Sequence, residues 1–157
     1  MLRISRLTDY ATVILATLAQ SPEKVQTSAA LAEQTHLSLP TVSKLLKQLQ
    51  RSGLVASTRG LRGGYQLARP AAQISAGAIL DALEGPVALT DCASGQGQCD
   101  IQRTCRVGHA WQRLNLTIRR SLDEVSLAQL AGIEPQPHVL ALERDMKAAA
   151  SRPVSRS

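Results

Sequence analysis

Residues 38–68, SLPTVSKLLKQLQRSGLVASTRGLRGGYQLA, decide the fold. Ser38 stands where an N-cap is expected and Pro40 falls in the first turn that follows. Val42, Leu45, Leu46 and Leu49 then recur at helical spacing until Gly53 stops the run. Beyond the glycine, LVAST is β-prone, RGLRGG has turn chemistry and YQLA alternates, so residues 54–68 predict a hairpin with a basic, Gly-rich tip. A basic hairpin directly after an amphipathic helix is a wing.

Working outward toward the N-terminus, Tyr10, Val13, Ile14, Thr17 and Leu18 follow the spacing of an amphipathic helix that ends before Pro22. Thr27 opens a second short helix, SAALAEQT, and His36 and Leu37 make a tight connection to the third. Three helices with a short turn between the last two form a helix-turn-helix arrangement. With aromatics limited to Tyr10, Tyr65 and Trp111, the apolar content is mostly Leu, Ala, Val and Ile, and the fold class expected is mainly α. The expected architecture is a winged helix-turn-helix domain joined to a long dimerisation helix.

Toward the C-terminus, a helix over about Ser75 to Leu83 precedes Gly85 and Pro86. A polar, aperiodic loop follows. From about Arg106 to Val125 the residues Trp111, Leu114, Ile118, Leu122 and Val125 lie close to a heptad seam, the pattern of a dimer interface. One further turn or two is expected over Ser126 to Ala131. The boundaries expected are 1–70 for the winged domain, 71–90 for a linker helix and 91–105 for a cysteine loop. Residues 106–133 make the dimerisation helix and its short successor, and 134–157 a flexible tail.

The formal net charge is +6, and its placement is the informative part. Residues 1–69 hold nine Lys or Arg against three acids, while residues 70–157 hold nine of each. A basic half beside a neutral half points to a polyanion-binding module joined to a part that controls it. Lys44 or Arg51 alone would be an ordinary solvated helix face. In combination with the helix pattern, the wing and the localised charge, double-stranded DNA is the expected partner. Thr41, Ser43 and Lys44 on the N-terminal half of the third helix, with Ser38 before them, are placed to face bases. Lys47 and Arg51 are placed to hold phosphates, and Arg59 and Arg62 to enter a minor groove. Gly63, Gly64 and Tyr65 complete the wing surface.

All three cysteines, Cys92, Cys99 and Cys105, fall within DCASGQGQCDIQRTC (91–105). The N-terminus is too polar for a signal peptide and no stretch is long and apolar enough to span a membrane, so a cytoplasmic protein is expected. In a reducing compartment an odd set of thiols reads as metal-binding or redox-active rather than as disulfides. Three thiolates need a fourth donor for an iron–sulfur cluster or a tetrahedral zinc site, and His109 is the local candidate. Three rivals remain on chemistry alone: a zinc-bound regulator, a regulator whose thiols sense oxidants without metal, and a thiol enzyme using Cys105 with His109 as base. The enzyme has no pocket or oxyanion signature in its favour, and neither an enzymatic activity nor a small-molecule substrate is expected.

The opening MLRISRLTDYATVILATLA, the helix SLPTVSKLLKQLQRSGLV, the wing RGLRGGYQLAR and the C-x6-C-x5-C loop before a Trp-bearing helix resemble the Rrf-type winged-helix regulators. That family includes the iron–sulfur sensor IscR and the nitric oxide sensor NsrR. The resemblance spans about residues 1–131. Its MLRISRLTDYATV and LPTVSKLLK segments look closest to the branch that regulates SUF iron–sulfur assembly genes. It implies a homodimer swapped through the long helix, an operator dyad, and one 2Fe-2S or 4Fe-4S cluster per subunit on Cys92, Cys99 and Cys105. The IscR-like fourth ligand, a His three residues after the last cysteine, falls here on Gly108, with His109 one position late. The NsrR-like fourth ligand, an acid on the first helix of the partner subunit, falls on Asp9.

Overall fold

The computed structural model describes residues 4–89 and 107–135. The order of elements is α1 (Arg6–Ala19), α2 (Ser28–Thr35), α3 (Leu39–Arg51), β1 (Val55–Thr58), β2 (Gly64–Leu67), a 3-10 turn (Ala71–Gln73), α4 (Ala76–Glu84), α5 (Gly108–Glu124) and α6 (Leu127–Leu130). Cys92, Cys99 and Cys105, the start of the predicted long helix at Arg106 and the tail from residue 136 lie outside the described residues.

Helix α1 is the hub, packed on α2, α3, α4 and α6. Its N-cap Ser5 accepts from the Thr8 backbone N–H at 3.2 Å. Because partners surround it, its buried residues form a wide arc: Thr8, Ala11, Ile14, Leu15, Leu18 and Ala19. The sequence stripe is right at Ile14 and Leu18 and wrong at Val13, which is 42% exposed. The buried arc takes in Ala11 and Leu15 and leaves Val13 outside it.

The turn between α2 and α3 pivots on His36, whose left-handed φ of 55° ends α2. His is among the few non-glycine residues enriched there. Helix α3 buries Val42, Leu45, Leu46 and Leu49 completely, as its stripe predicts. Fully burying a leucine side chain stabilises by about 1.5–3 kcal/mol, so this one face anchors the helix.

Strands β1 and β2 pair antiparallel in the register Val55 to Leu67 through Thr58 to Gly64. A feature absent from the sequence reading extends the hairpin. Gln26 and Tyr65 exchange backbone hydrogen bonds of 2.9 and 2.7 Å, which ties the wing to the segment before α2. Gly64 is required there, since a Cβ would stand 2.5 Å from the Gln26 carbonyl oxygen.

Ile74, Ile79 and Leu127 belong to the same core as α1–α3. The described part of the 71–90 segment is therefore a layer of the winged module. Backbone bonds from Leu127 to Ile74 (2.7 Å) and from Ala76 to Val125 (2.8 Å) fasten α6 beside it.

Candidate nucleic-acid interface

With one face of α3 buried, the opposite face projects its polar residues outward. Lys44, Lys47 and Arg51 are exposed, and Thr41 and Ser43 are half-buried beside the stripe. Ser38 occupies the N-cap with extended backbone, but its hydroxyl does not cap the helix. It pairs instead with the Thr41 hydroxyl at 2.7 Å. The N-terminal end of α3, which carries the partial positive charge of the helix dipole, thus presents two hydroxyls with Lys44 one turn further on.

The wing stands beside this surface through β1. Gln50 Nε2 donates to Ser57 Oγ at 2.7 Å, a cross-brace from the outer face of α3 to the hairpin. Arg59 and Arg62 are exposed at the tip. Gly63, Gly64 and Tyr65 are part-buried, and Tyr65 packs against the core cluster. Those three hold the wing in place, with the Arg residues beyond them. No Asp or Glu occurs between Glu33 and Asp81, so the α3 face and the wing form a cationic surface free of acids of their own.

Two polar side chains connect this surface to α4, and one of them, Gln48, lies off the apolar stripe with the other polar residues of α3 yet turns toward α4. Gln48 on α3 donates its amide to the Ala82 and Leu83 carbonyls at 3.3 and 3.4 Å. These are end-of-helix carbonyls lacking intrahelical partners. Next to them, Glu84 Oε1 accepts from the Ser5 backbone N–H at 3.0 Å and the Thr8 hydroxyl at 2.5 Å. Those bonds, from Ser5 and Thr8, hold the Glu84 carboxyl below its usual range. The last turn of α4 therefore grips both α3 and the start of α1. Gly85 and Pro86 follow it and lead toward the cysteine segment. No sequence signal pairs residues separated by 34 or 79 positions, so neither link was legible beforehand.

On its other side α4 is bound to α5. The Arg119 guanidinium lies 2.6 Å from Asp81 and 2.9 Å from Asp123, and both carboxylates raise its already high pKa. Leu89 N donates to Asn115 Oδ1 at 3.2 Å. Helix α5 nonetheless buries none of its residues. Trp111 and Leu114 are 41% and 46% exposed. Ile118 and Leu122, half-buried, line an apolar groove of about 450 Å3 with Ile4, Leu80 and Pro86. Val125 is half-buried at the C-cap.

Asp9 is exposed on the first turn of α1, and no hydrogen bond or ion pair engages its carboxylate among the described residues. His109 is exposed in the first turn of α5. Among the described residues no three His, Cys, Asp or Glu converge on a metal position, and no helix is long and apolar enough to cross a membrane.

Residues 4–132 match the family model Rrf2, described as an iron-dependent transcriptional regulator. A putative HTH-type transcriptional regulator of Haemophilus influenzae is 38% identical over 102 residues, covering 65% of this chain and 67% of that protein. The HTH-type transcriptional regulator IscR of Serratia proteamaculans is 32% identical over 130 residues, covering 82% of this chain and 79% of its own. The solved structure of CymR, described as the global cysteine regulator of B. subtilis, superposes with a TM-score of 0.66 at 29% identity, covering 86% of this chain and all of that one. All of these relatives are regulators, none an enzyme.

Proposed function

Because this chain belongs to the Rrf2 family of transcriptional regulators, we propose that it is a homodimeric repressor of SUF-type iron–sulfur assembly genes, controlled by an iron–sulfur cluster. The observation that carries the reading is the last turn of α4. It holds the recognition helix through Gln48 and the start of α1 through Glu84, and it stands just before the cysteine segment. A change in that segment has a short mechanical route to the DNA-binding surface.

The donor set fits a cluster. Cys92, Cys99 and Cys105 supply three thiolates between α4 and α5, and Asp9 offers an unengaged carboxylate at the exposed start of α1. His109 is the alternative fourth ligand. When bound, an iron–sulfur cluster supplies a joint that oxidants or iron scarcity remove. The chain's own residues do the rest: Asp9 of one subunit would be a ligand to the cluster of the other, Glu84 fixes the start of α1 against α4, and Gln48 ties α4 to α3. Dimerisation runs through α5, whose unburied Trp111 and Leu114 need a partner face. Thr41, Ser43 and Lys44 meet base edges, with Lys47, Arg51, Arg59 and Arg62 on phosphates and the minor groove.

Anaerobically purified protein is expected to be brown, to contain iron and sulfide, and to lose both when Cys92, Cys99 or Cys105 becomes Ala. Asp9→Ala against His109→Ala identifies the fourth ligand by which variant alters the absorption spectrum. The likeness to CymR favours one second reading, a regulator in which the same thiols respond without metal. Colourless, metal-free protein that binds a dyad-containing promoter and releases it on oxidation would establish that reading, whereas colourless protein with stoichiometric zinc would remove the cluster and leave the DNA binding standing.

A further inference from the structure

Leu61 is the most exposed large apolar residue described, at 110% of its reference area. It stands at the apex of the wing between Arg59 and Arg62, and a fully exposed leucine forgoes about 1.5–3 kcal/mol of burial. The turn that carries it is braced. Gly63 N donates to the Gly60 carbonyl at 2.9 Å, and Gly60 takes a φ of 111°. A Cβ on Gly63 would collide with the Thr58 and Gly60 carbonyl oxygens. The tip is thus a tight, preformed turn that holds an isobutyl group outward, with cations on both sides and no acid between Glu33 and Asp81.

An apolar knob in a cationic collar suits one kind of surface best: an anionic one with an apolar interior. The minor groove of duplex DNA has that character, with phosphates at its rims and sugar C–H faces and base edges within, and its width of about 6 Å admits a hairpin tip. Apolar side chains of proteins that bind the minor groove act as wedges between base steps. Resting on the DNA-binding reading above, we propose that Leu61 is a wedge residue of the wing. It enters the minor groove between Arg59 and Arg62 and partly unstacks one base step. Because pyrimidine–purine steps unstack most cheaply, Leu61 makes the wing selective for a TA or CA step at a position where no hydrogen bond reads a base.

The test uses the full-length protein and duplexes recovered by selection from random sequence. The recovered set is expected to carry a TA or CA step under each wing. 2-Aminopurine placed at that step should brighten when wild-type protein binds, and end-labelled duplex should report a bend. Leu61→Ala should weaken binding about three- to tenfold, abolish the brightening and tolerate a stiff AA step, whereas Leu61→Met should retain all three properties. Leu61 touches no core, so both variants fold. Selective duplex binding that Leu61→Ala leaves unchanged in affinity, brightening and step preference would overturn the wedge alone. A wild-type protein that binds no duplex would overturn the DNA reading, and the wedge with it.

Discussion

Helices α3 and α5 carry comparable apolar stripes in the sequence, yet the structure treats them oppositely. The thirteen residues of α3 include four fully buried side chains, whereas the seventeen of α5 include none. Periodicity establishes that a helix has a face to cover and leaves open what covers it. For α3 the cover is supplied within the chain by α1, α2 and α4, all of them close in sequence or docked on the same core. For α5, α4 covers only part of the stripe, around Ile118 and Leu122, and the Trp111 and Leu114 end stays in solvent. One stripe belongs to folding, and the proposed dimer assigns the other to assembly.

The sharpest break of this comparison is a pair of substitutions. Leu45→Ala on α3 should cost about 2–5 kcal/mol in denaturant unfolding, with no dependence on protein concentration. A loss below about 1 kcal/mol would mean that the α3 stripe is not the anchor it is taken for. Leu114→Asp on α5 should leave the far-UV spectrum of the protomer intact while weakening the dimer by about 2 kcal/mol or more. Sedimentation should then show a monomer at concentrations where the wild type is dimeric; a wild type that is already monomeric defeats the assembly role of α5.

The polar faces give a smaller contrast. Lys44→Ala on α3 should weaken duplex binding by about 1 kcal/mol and lower the salt slope by about one. Arg120→Ala, exposed on α5, should leave that slope unchanged. The smallest effect expected is at the link between the two halves. Glu84 is solvent-exposed, so Glu84→Gln should cost less than about 1 kcal/mol at neutral pH. Its carboxyl pKa is lowered in the fold by bonds from Ser5 and Thr8, so the stabilisation is complete above the ordinary carboxylate range and disappears as pH falls through the folded value. Thermal unfolding of the Gln variant should lack that part of the acid-side decline, and a parallel decline in both proteins would remove Glu84 from the linkage.

Much of the geometry of the candidate interface was legible because its determinants are local. Val42, Leu45, Leu46 and Leu49 bury one face of α3, which leaves Lys44, Lys47 and Arg51 outside by geometry alone. The wing followed from Gly and β-prone runs. Gly64 and Tyr65 were placed in the correct hairpin, but the sequence did not reveal that their backbones close against Gln26, since that pairing spans residues far apart. Ser38 was legible as an N-cap position and not as a hydroxyl that turns to Thr41. Val13 was misplaced because helical spacing identifies an arc only to within the width that unknown neighbours impose.

What the sequence determined by itself is whatever depends on order along the chain: three helices, a basic wing, thiols gathered between α4 and α5, and a seam on α5. Dihedral preference, side-chain spacing and charge placement act over a few residues and are written there directly. What only the tertiary structure decided is which distant groups meet. It joined Gln48 and Glu84 through one helix end, folded the segment from Ile74 to Glu84 into the winged core, and left Leu61 alone at the tip. Those outcomes depend on burial and on hydrogen bonds between elements, and no local preference encodes them.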